Sequence, residues 1–247
     1  LLHGMIVVSG NEASIVLAEA VAGSEAGFAE LMNREAQRMG LKNTSFRNAT
    51  GLPDPQHYTT ARDLATLTTR LIQDFPQNYG LYSLREYTYN NIRQPNRNRL
   101  LFIDPSVDGV KTGHTEAAGY CLISSSRREQ PGAGFERRLV SVMLGAASEA
   151  ARAIESQKLL NYGFQNFDAV KLFEKGKPAG NYMVWKGAKD EVPAGFAEDV
   201  AITVPRGQAG SVKAEIERLE PLVAPVAEGQ RIGTLRVKFG DRVLAER

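Results

Sequence analysis

The sequence contains one cysteine, Cys121, among 247 residues. A single thiol cannot form an intrachain disulfide, so a disulfide-stabilised scaffold is excluded. Cys121 lies in an alternating segment typical of a strand, and we expect a buried, unreactive thiol there. Histidine is also scarce, and neither His3 nor His57 has a partner at the spacing of metal ligands. We therefore expect no metal and no cofactor.

Long hydrophobic runs are missing as well. No run approaches the roughly 18 apolar residues that a membrane-spanning helix needs. Residues 1–8 are apolar but lack the basic start of a signal peptide. Because this run has no initiator methionine, we expect it to be the inside of an element whose upstream residues are missing.

An excess of charge of either sign is also absent. The sequence has 30 basic and 28 acidic side chains, a formal net charge of +2. This balance does not favour nucleic acid as a partner. Hydrophobic residues make up 43% and charged residues 23%, which is typical of a globular protein of one large domain, or a domain plus a small one.

Two short polar motifs stand out against this ordinary background. Ser9-Gly10-Asn11 precedes apolar residues at helical spacing, so Ser9 and Asn11 either cap a helix or present polar groups at its start. Lys111-Thr112-Gly113 precedes an alternating segment that predicts a strand. It is either a solvated turn or a strand edge that offers a cation, a hydroxyl and a close backbone approach.

The remaining pattern up to residue 166 mixes helices and strands. Thr60 and Asp63 resemble a capping box at the start of a helix that closes at Pro76. A second helix is predicted to start at Ser24 and to stop at Gly40, and a third is predicted to be capped by Ser148 and to stop at Gly163. The predicted helices are 24–39 and 150–162 (ending at Gly163), the predicted strands are 82–91, 120–126 and 139–144, and the predicted loops are 41–57, 93–99 and 127–137.

After Phe167 the pattern changes to short alternating segments separated by glycine, proline and aspartate. Gly240-Asp241 suits a two-residue hairpin turn, and Trp185 is expected in a core. These features predict an α+β chain with two domains, 1–166 and 167–247, the second small and all-β. The predicted strands of the second domain are 170–173, 182–185, 200–204, 212–219, 232–239 and 243–245.

Ser9-Gly10-Asn11 and Lys111-Thr112-Gly113 resemble two of the three motifs of the penicillin-recognising serine acyl-transfer enzymes. The resemblance extends over Gly40–Thr44, Asn96–Asn98, Val107–Thr115 and the β-rich tail. With these segments the chain resembles the D-alanyl-D-alanine carboxypeptidases, the low-molecular-mass penicillin-binding proteins. The resemblance implies a serine β-lactamase-like domain, with helices around an antiparallel sheet, followed by a small all-β domain.

The third motif of the family, Ser-x-x-Lys, is absent, because no serine in the sequence has lysine three residues later. That motif supplies the nucleophile and its base. We expect it in a missing N-terminal segment or in a separate chain. The amphipathic C-terminal membrane helix of many family members is also absent from this sequence.

The resemblance implies roles for seven residues of this sequence. Ser9 would relay a proton, Asn11 would orient the missing lysine and hold the substrate amide, and Lys111 would bind Ser9. The backbone N–H of His114 would form half of an oxyanion hole. The substrate's terminal carboxylate would be held by Arg97 and Thr112, with Gly113 giving room; the role of the His114 side chain stays open.

The implied activity is hydrolysis of the terminal D-alanine from peptidoglycan stem peptides through an acyl-enzyme that β-lactams block. The implied location is the periplasmic face of the bacterial inner membrane. Two alternatives remain open. One is a non-catalytic peptidoglycan-binding scaffold that has lost its nucleophile, and the other is a serine β-lactamase, which normally lacks a β-rich tail.

Overall fold

The computed structural model of the protein describes residues 1–130 and 134–247. Contacts divide the chain into two compact units. Unit 1 consists of Leu1–Arg128 and Arg138–Tyr162, and unit 2 consists of Glu129–Arg137 and Gly163–Arg247. The division at residues 166 and 167 stays our proposal for the domain boundary.

Helix α3 (Glu25–Arg38) begins and ends where the sequence predicts. Ser24 caps α3 by accepting a hydrogen bond from the Gly27 N–H at 3.1 Å, and Gly40 follows that helix with a φ of +75°. The stop at Gly40 is therefore confirmed. The helices are α1 (Leu2–Val7), α2 (Asn11–Ala22), α3 (Glu25–Arg38), α4 (Ala61–Asp74), α5 (Pro76–Tyr79), α6 (Leu100–Ile103) and α7 (Glu149–Asn166).

Only half of the capping box at the start of α4 is formed. The Thr60 hydroxyl accepts from the Asp63 N–H at 3.2 Å, as predicted. The Asp63 carboxylate, however, accepts from the Asn43 N–H at 2.8 Å and from the Thr44 hydroxyl at 2.7 Å. Asp63 is 6% exposed, so it anchors the Gly40–Thr44 segment to α4 instead of closing the box.

The region before the central sheet differs from the prediction. Residues Gly80–Ser83 form a 3₁₀ turn, so the predicted strand 82–91 shortens to β1 (Glu86–Tyr89). Asn90 and Asn91 both have positive φ, which is the geometry of a tight hairpin turn. The chain therefore returns as β2 (Ile92–Pro95), antiparallel to β1, and the first part of the predicted loop 93–99 is a strand.

The sheet of unit 1 has the strand order β3–β4–β5. Strand β3 (Val107–Thr115) is an edge strand antiparallel to β4 (Gly119–Glu129), and β5 is Glu136–Ala146. Both predicted strands are confirmed and are longer than predicted. The loop predicted over 127–137 shrinks accordingly, and its residues 131–133 lie outside the described residues.

Helix α7 packs its buried face against this sheet. Gly163 does not end the helix, contrary to the prediction, because it lacks the positive φ of a helix-terminating glycine and α7 continues to Asn166. The Ser148 cap is confirmed by a 3.1 Å hydrogen bond from the Ala151 N–H. The core of unit 1 comprises Leu100, Leu101, Val107, Leu122, Ala153 and Leu160, with Leu139 packed against it.

Unit 2 confirms the small all-β domain. Its sheets have the strand orders β6–β9, β11–β7–β8 and β10–β12–β13. Gly240 has a φ of +56° in the turn between β12 and β13, as predicted. The strands are β6 (Phe167–Phe173), β7 (Pro178–Trp185), β8 (Glu191–Gly195), β9 (Val200–Pro205), β10 (Val212–Arg218), β11 (Leu222–Val223), β12 (Gly233–Phe239) and β13 (Arg242–Glu246).

The expected core position of Trp185 is wrong. The core of unit 2 is built from Val200, Ile202, Val204, Leu235 and Val237, whereas Trp185 is 60% exposed. Side chains alternate along β7, and Tyr182 is buried, so a residue three positions later faces outward. Across the described part of the chain, no helix is both long and apolar enough to cross a bilayer.

Candidate active site

One groove of unit 1, with a volume of about 1310 Å³, contains the two motifs that stand out in the sequence. Strand β3 and the residues at the start of α2 both line this groove. All seven residues implied by the family resemblance line this groove: Ser9, Asn11, Arg97, Lys111, Thr112, Gly113 and His114. The fold thus brings together residues separated by about one hundred positions in the chain.

Ser9 is directed to Lys111 and does not cap a helix. Its φ of +58° lies in the left-handed region, which costs free energy for a residue other than glycine. Helix α2 begins after Gly10 without any side-chain cap, so the capping interpretation is wrong for Ser9. The Lys111 ammonium instead donates a 2.8 Å hydrogen bond to the Ser9 hydroxyl.

Asn11 is the first residue of α2, and its side chain is exposed in the groove. It makes no side-chain hydrogen bond to any of the residues 1–130 and 134–247. An amide carries two donors and one acceptor. Asn11 can therefore offer its full hydrogen-bonding capacity to a bound peptide.

The Lys111 ammonium lies in a strongly cationic environment. Burial, followed by the charges of Arg97 and Arg152, lowers the pKa of Lys111 to about 8. The group is still mostly protonated at neutral pH, so it acts as a donor toward Ser9, with a second bond to the Thr112 carbonyl at 3.1 Å. Positive charge accumulated in this way favours an anionic ligand.

Arg97 is held between two buried asparagines. Asn96 donates to the Leu84 carbonyl at 2.8 Å, and Asn98 donates to the Gly109 carbonyl of β3 at 3.1 Å. The side-chain oxygen of Asn98 also accepts a hydrogen bond from the Leu100 N–H, and the backbone N–H of Asn98 donates to the side-chain oxygen of Asn96. These bonds fix the backbone while the Arg97 side chain stays exposed to the groove, with no ion pair to a carboxylate of the described residues.

Arg152 is a groove residue that the sequence interpretation missed. It is 5% exposed and donates to the Arg97 and Gly113 carbonyls, each at 3.4 Å. Burial lowers the pKa of Arg152, partly offset by Glu149. A signal was available, because Arg152, Ser156 and Leu160 recur every four residues and share the buried face of α7. Arginine is rarely buried in a core, so its position on that face indicates a functional role.

Solvent exposure differs among Thr112, Gly113 and His114. Thr112 is buried except where it lines the groove, and a Cβ on Gly113 would meet nothing within 4 Å. His114 is exposed, and its ring lies 4.0 Å from the Tyr120 ring between centroids. Cys121 is half-buried and lines the groove, so the expectation of a buried thiol is wrong.

An ion-pair cluster holds the base of β3. Arg138 binds the Asp108 carboxylate at 2.7 Å, and the Tyr79 hydroxyl donates to the same group at 3.2 Å. Burial raises the pKa of Tyr79 to about 12, so the phenol stays protonated. A Cβ on Gly109 would lie 2.7 Å from the Tyr79 hydroxyl, which explains glycine at this position of the motif.

The other two histidines lie outside the groove. His3 packs edge-on against Tyr87, and His57 packs against Phe46 while accepting from the Arg47 N–H at 3.3 Å. Burial lowers the pKa of His57. Within the described ranges, no group of three or more histidine, cysteine or carboxylate side chains is arranged to hold a metal ion.

Comparison with known proteins places this chain in a family. The family model for D-alanyl-D-alanine carboxypeptidase matches residues 1–148, and the model for the C-terminal domain of penicillin-binding protein 5 matches residues 167–247. The chain is 43% identical to D-alanyl-D-alanine carboxypeptidase DacA of Haemophilus influenzae, over 98% of this chain and 61% of that protein. It is 42% identical to DacC of Escherichia coli, over 99% of this chain and 60% of that protein.

The solved structures agree with the sequence relatives. Penicillin-binding protein 5 from Haemophilus influenzae superimposes with a TM-score of 0.84 at 42% identity, covering 99% of this chain and 70% of that one. Penicillin-binding protein D2 from Listeria monocytogenes in its ampicillin-bound form superimposes with a TM-score of 0.59 at 30% identity, covering 66% of this chain and 65% of that one. The chain spans about three fifths of the length of the curated relatives it matches. It belongs to the D-alanyl-D-alanine carboxypeptidase family of penicillin-binding proteins.

Proposed function

We propose that these residues form the substrate-facing part of a serine-type D-alanyl-D-alanine carboxypeptidase. The observation that carries the proposal is the 2.8 Å hydrogen bond between Lys111 and Ser9, in one groove with the exposed side chains of Asn11 and Arg97. The substrate is a peptidoglycan stem peptide that ends in D-alanyl-D-alanine. β-Lactams would inhibit the complete enzyme by acylating it.

The acylating serine and its lysine lie outside the 247 residues in this proposal. None of the serines in the chain has lysine at the third following position, and a serine hydroxyl needs a neighbouring base to become nucleophilic. A Ser-x-x-Lys segment, upstream or in a separate chain, would therefore occupy the groove beside Ser9. The cationic surroundings of Lys111 would help to keep that second lysine neutral.

The chemical steps follow from the positions of Ser9 and Lys111. The nucleophilic serine attacks the carbonyl of the penultimate D-alanine, and the C–N bond to the terminal D-alanine breaks. Ser9 accepts its hydrogen bond from Lys111, so its own hydroxyl proton is free to pass to the leaving amine. The lysine of the Ser-x-x-Lys segment takes the proton lost by the nucleophile and passes it to Ser9, which is thereby restored. Water then hydrolyses the ester and restores the serine.

Carboxypeptidase specificity comes from cations at one end of the groove. Arg97 and Thr112 would hold the terminal carboxylate, because a guanidinium fork makes two parallel charge-assisted hydrogen bonds to it. Arg152 adds buried positive charge behind them. The backbone N–H of His114 would stabilise the oxyanion together with the N–H of the nucleophile. Asn11 would bind the substrate amide.

The whole protein would act on the cell wall in the periplasm. This location follows from the substrate, which is part of the bacterial cell wall. Association with the outer face of the inner membrane would require a C-terminal amphipathic helix beyond Arg247. Unit 2 would contribute to positioning or to partner contacts.

Release of D-alanine tests the proposal. A protein containing both these residues and the Ser-x-x-Lys segment should release D-alanine from a diacyl-L-lysyl-D-alanyl-D-alanine peptide. The Ser9→Ala variant should be slower by about 10²- to 10⁴-fold, the usual contribution of a proton-transferring group. A scaffold would neither release D-alanine nor react with penicillin, and a β-lactamase would hydrolyse penicillin without releasing D-alanine; either result overturns the proposal.

A further inference from the structure

Tyr120 occupies a position in the groove that its neighbours make unusual. It lies at the start of β4, directly opposite His114 of β3 in the sheet register, and lines the groove. Its side chain is half-buried. Its hydroxyl makes no hydrogen bond to the described residues, so its contacts there are made through the ring.

The first ring contact is with Arg152. The guanidinium carbon lies 5.6 Å from the centroid of the Tyr120 ring, within the range of a cation–π interaction. The same guanidinium donates to the carbonyls of Arg97 and Gly113 at a long 3.4 Å. Hydrogen bonds of that length are weak. Arg152 also forms an ion pair with Glu149 of its own helix at 3.5 Å. The ring, which belongs to β4, adds a contact that helps to keep Arg152 between the two segments that would bind the carboxylate.

The second ring contact is with His114. The two centroids are 4.0 Å apart with 35° between the planes. Cross-strand aromatic pairs of this kind stabilise the local pairing of two strands. Because β3 is an edge strand, this pair restrains the section of β3 that carries the proposed oxyanion N–H of His114.

We propose that Tyr120 is a positioning residue whose ring holds both ends of the proposed reaction site. It fixes the Arg152 guanidinium at the carboxylate end and the His114 backbone at the oxyanion end. The inference rests on the proposed function, since the two ends have meaning only for a peptide with a free terminal carboxylate. The phenol hydroxyl takes no part.

The test compares Tyr120→Phe, which keeps the ring, with Tyr120→Leu, which removes it, in protein that carries the Ser-x-x-Lys segment. Tyr58→Leu is the matched control, because Tyr58 is 57% exposed and does not line the groove. kcat and KM are measured on paired peptides ending in D-alanyl-D-alanine with a free or an amidated terminus.

Tyr120→Leu should raise KM for the free-carboxylate peptide about five- to tenfold and leave KM for the amidated peptide unchanged. Its kcat should fall about threefold or more on both peptides, because the oxyanion N–H is less well placed. Tyr120→Phe and Tyr58→Leu should stay within about twofold of the wild type. A general loss of folding would not separate KM from kcat or the two peptides from each other.

A spectroscopic measurement on the 247-residue chain tests the geometry independently of turnover. In the NMR spectrum, the ring current of Tyr120 should shift the proton signals of the His114 imidazole, which His114→Gln identifies among the three histidines. Tyr120→Leu should abolish that shift and Tyr120→Phe should keep it. Equal signals in the wild type and Tyr120→Leu would overturn the ring contact.

The remaining outcomes also decide. A Tyr120→Phe variant as impaired as Tyr120→Leu would assign the role to the hydroxyl and overturn the inference, as would a Tyr120→Leu variant with wild-type kinetics. If the wild-type protein cleaves neither peptide, releasing neither D-alanine nor D-alaninamide, the proposed function fails and the inference falls with it. Wild-type turnover with the wrong pattern in the variants overturns the inference alone.

Discussion

Replacing Lys111 by methionine should stabilise the folded chain at pH 7, although Lys111 belongs to the proposed catalytic machinery. Folding lowers the pKa of Lys111 from its ordinary 10.5 to about 8, and each pKa unit corresponds to about 1.4 kcal/mol. Keeping the ammonium in the groove thus costs about 3 kcal/mol. Methionine is similar in length and removes this cost. The lost hydrogen bond to Ser9 offsets about 1 kcal/mol, so we expect a net stabilisation of about 2 kcal/mol.

The pH dependence of this difference has a definite sign. Below pH 8 Lys111 is protonated in both the folded and the unfolded chain, and the full cost is present. Between pH 8 and 10.5 the folded chain releases the proton while the unfolded chain keeps it, so the stability of the wild type rises relative to Lys111→Met. Above pH 10.5 only the lost hydrogen bond should remain, and the wild type should be the more stable.

Urea unfolding followed by circular dichroism at about 222 nm measures the effect, because every described helix longer than four residues begins in unit 1. Lys42→Met is the matched control, since Lys42 is exposed outside the groove and should change stability by no more than about 0.5 kcal/mol. A Lys111→Met chain that is less stable than the wild type at pH 7 would refute the reasoning. A difference that does not vary between pH 7 and 10.5 would refute it equally.

Two further predictions concern the carboxylate end of the groove and the core of unit 2. In protein carrying the Ser-x-x-Lys segment, Arg97→Ala should lower kcat/KM for free-carboxylate peptides by the equivalent of about 1.5–3 kcal/mol, the value of a charged hydrogen bond. The loss for amidated peptides should be much smaller. Equal losses on both peptides would contradict the binding of the terminal carboxylate by Arg97. Leu235→Ala should destabilise unit 2 by about 2–5 kcal/mol, because Leu235 is 2% exposed. Trp185 fluorescence during urea unfolding reports that loss, and Leu219→Ala, at an exposed leucine, should be nearly silent.

The parts of the fold that follow local rules are predictable from the sequence. Ser24 and Gly40 delimit α3 because capping and positive φ are properties of single residues and their neighbours. The apolar segments in 120–126 and 139–144 predict two strands, and both form as β4 and β5. The turn at Gly240 is visible because two-residue hairpin turns favour glycine.

The errors arise where tertiary contacts decide. Asp63 leaves its capping box because the Gly40–Thr44 segment supplies better donors. The large apolar side chain of Trp185 favours a core position, but the alternation of side chains along β7 places it on the exposed face of the strand. Asn90 and Asn91 form the tight turn between β1 and β2. Because Tyr87 and Tyr89 precede them in an alternating pattern, the sequence predicts one strand over 82–91 instead of a hairpin.

The candidate site is predictable to the extent that motifs mark it. Ser9 and Lys111 are 102 positions apart, and periodicity alone gives no contact between them. The family resemblance predicts that contact, and the structure forms it. Arg152 carries no motif, and Tyr120 has the pattern of an ordinary strand residue. Their positions follow only from the register of β3 with β4 and the packing of α7 on the sheet.

The most direct measurement is the location of the penicillin adduct by mass spectrometry of proteolytic peptides. The 247-residue chain alone should remain unlabelled. Protein that also contains the Ser-x-x-Lys segment should carry one adduct, on the serine of that segment. An adduct on Ser9, or on any other residue of the isolated chain, would contradict the assignment of Ser9 and Lys111 to proton transfer beside a nucleophile supplied from elsewhere.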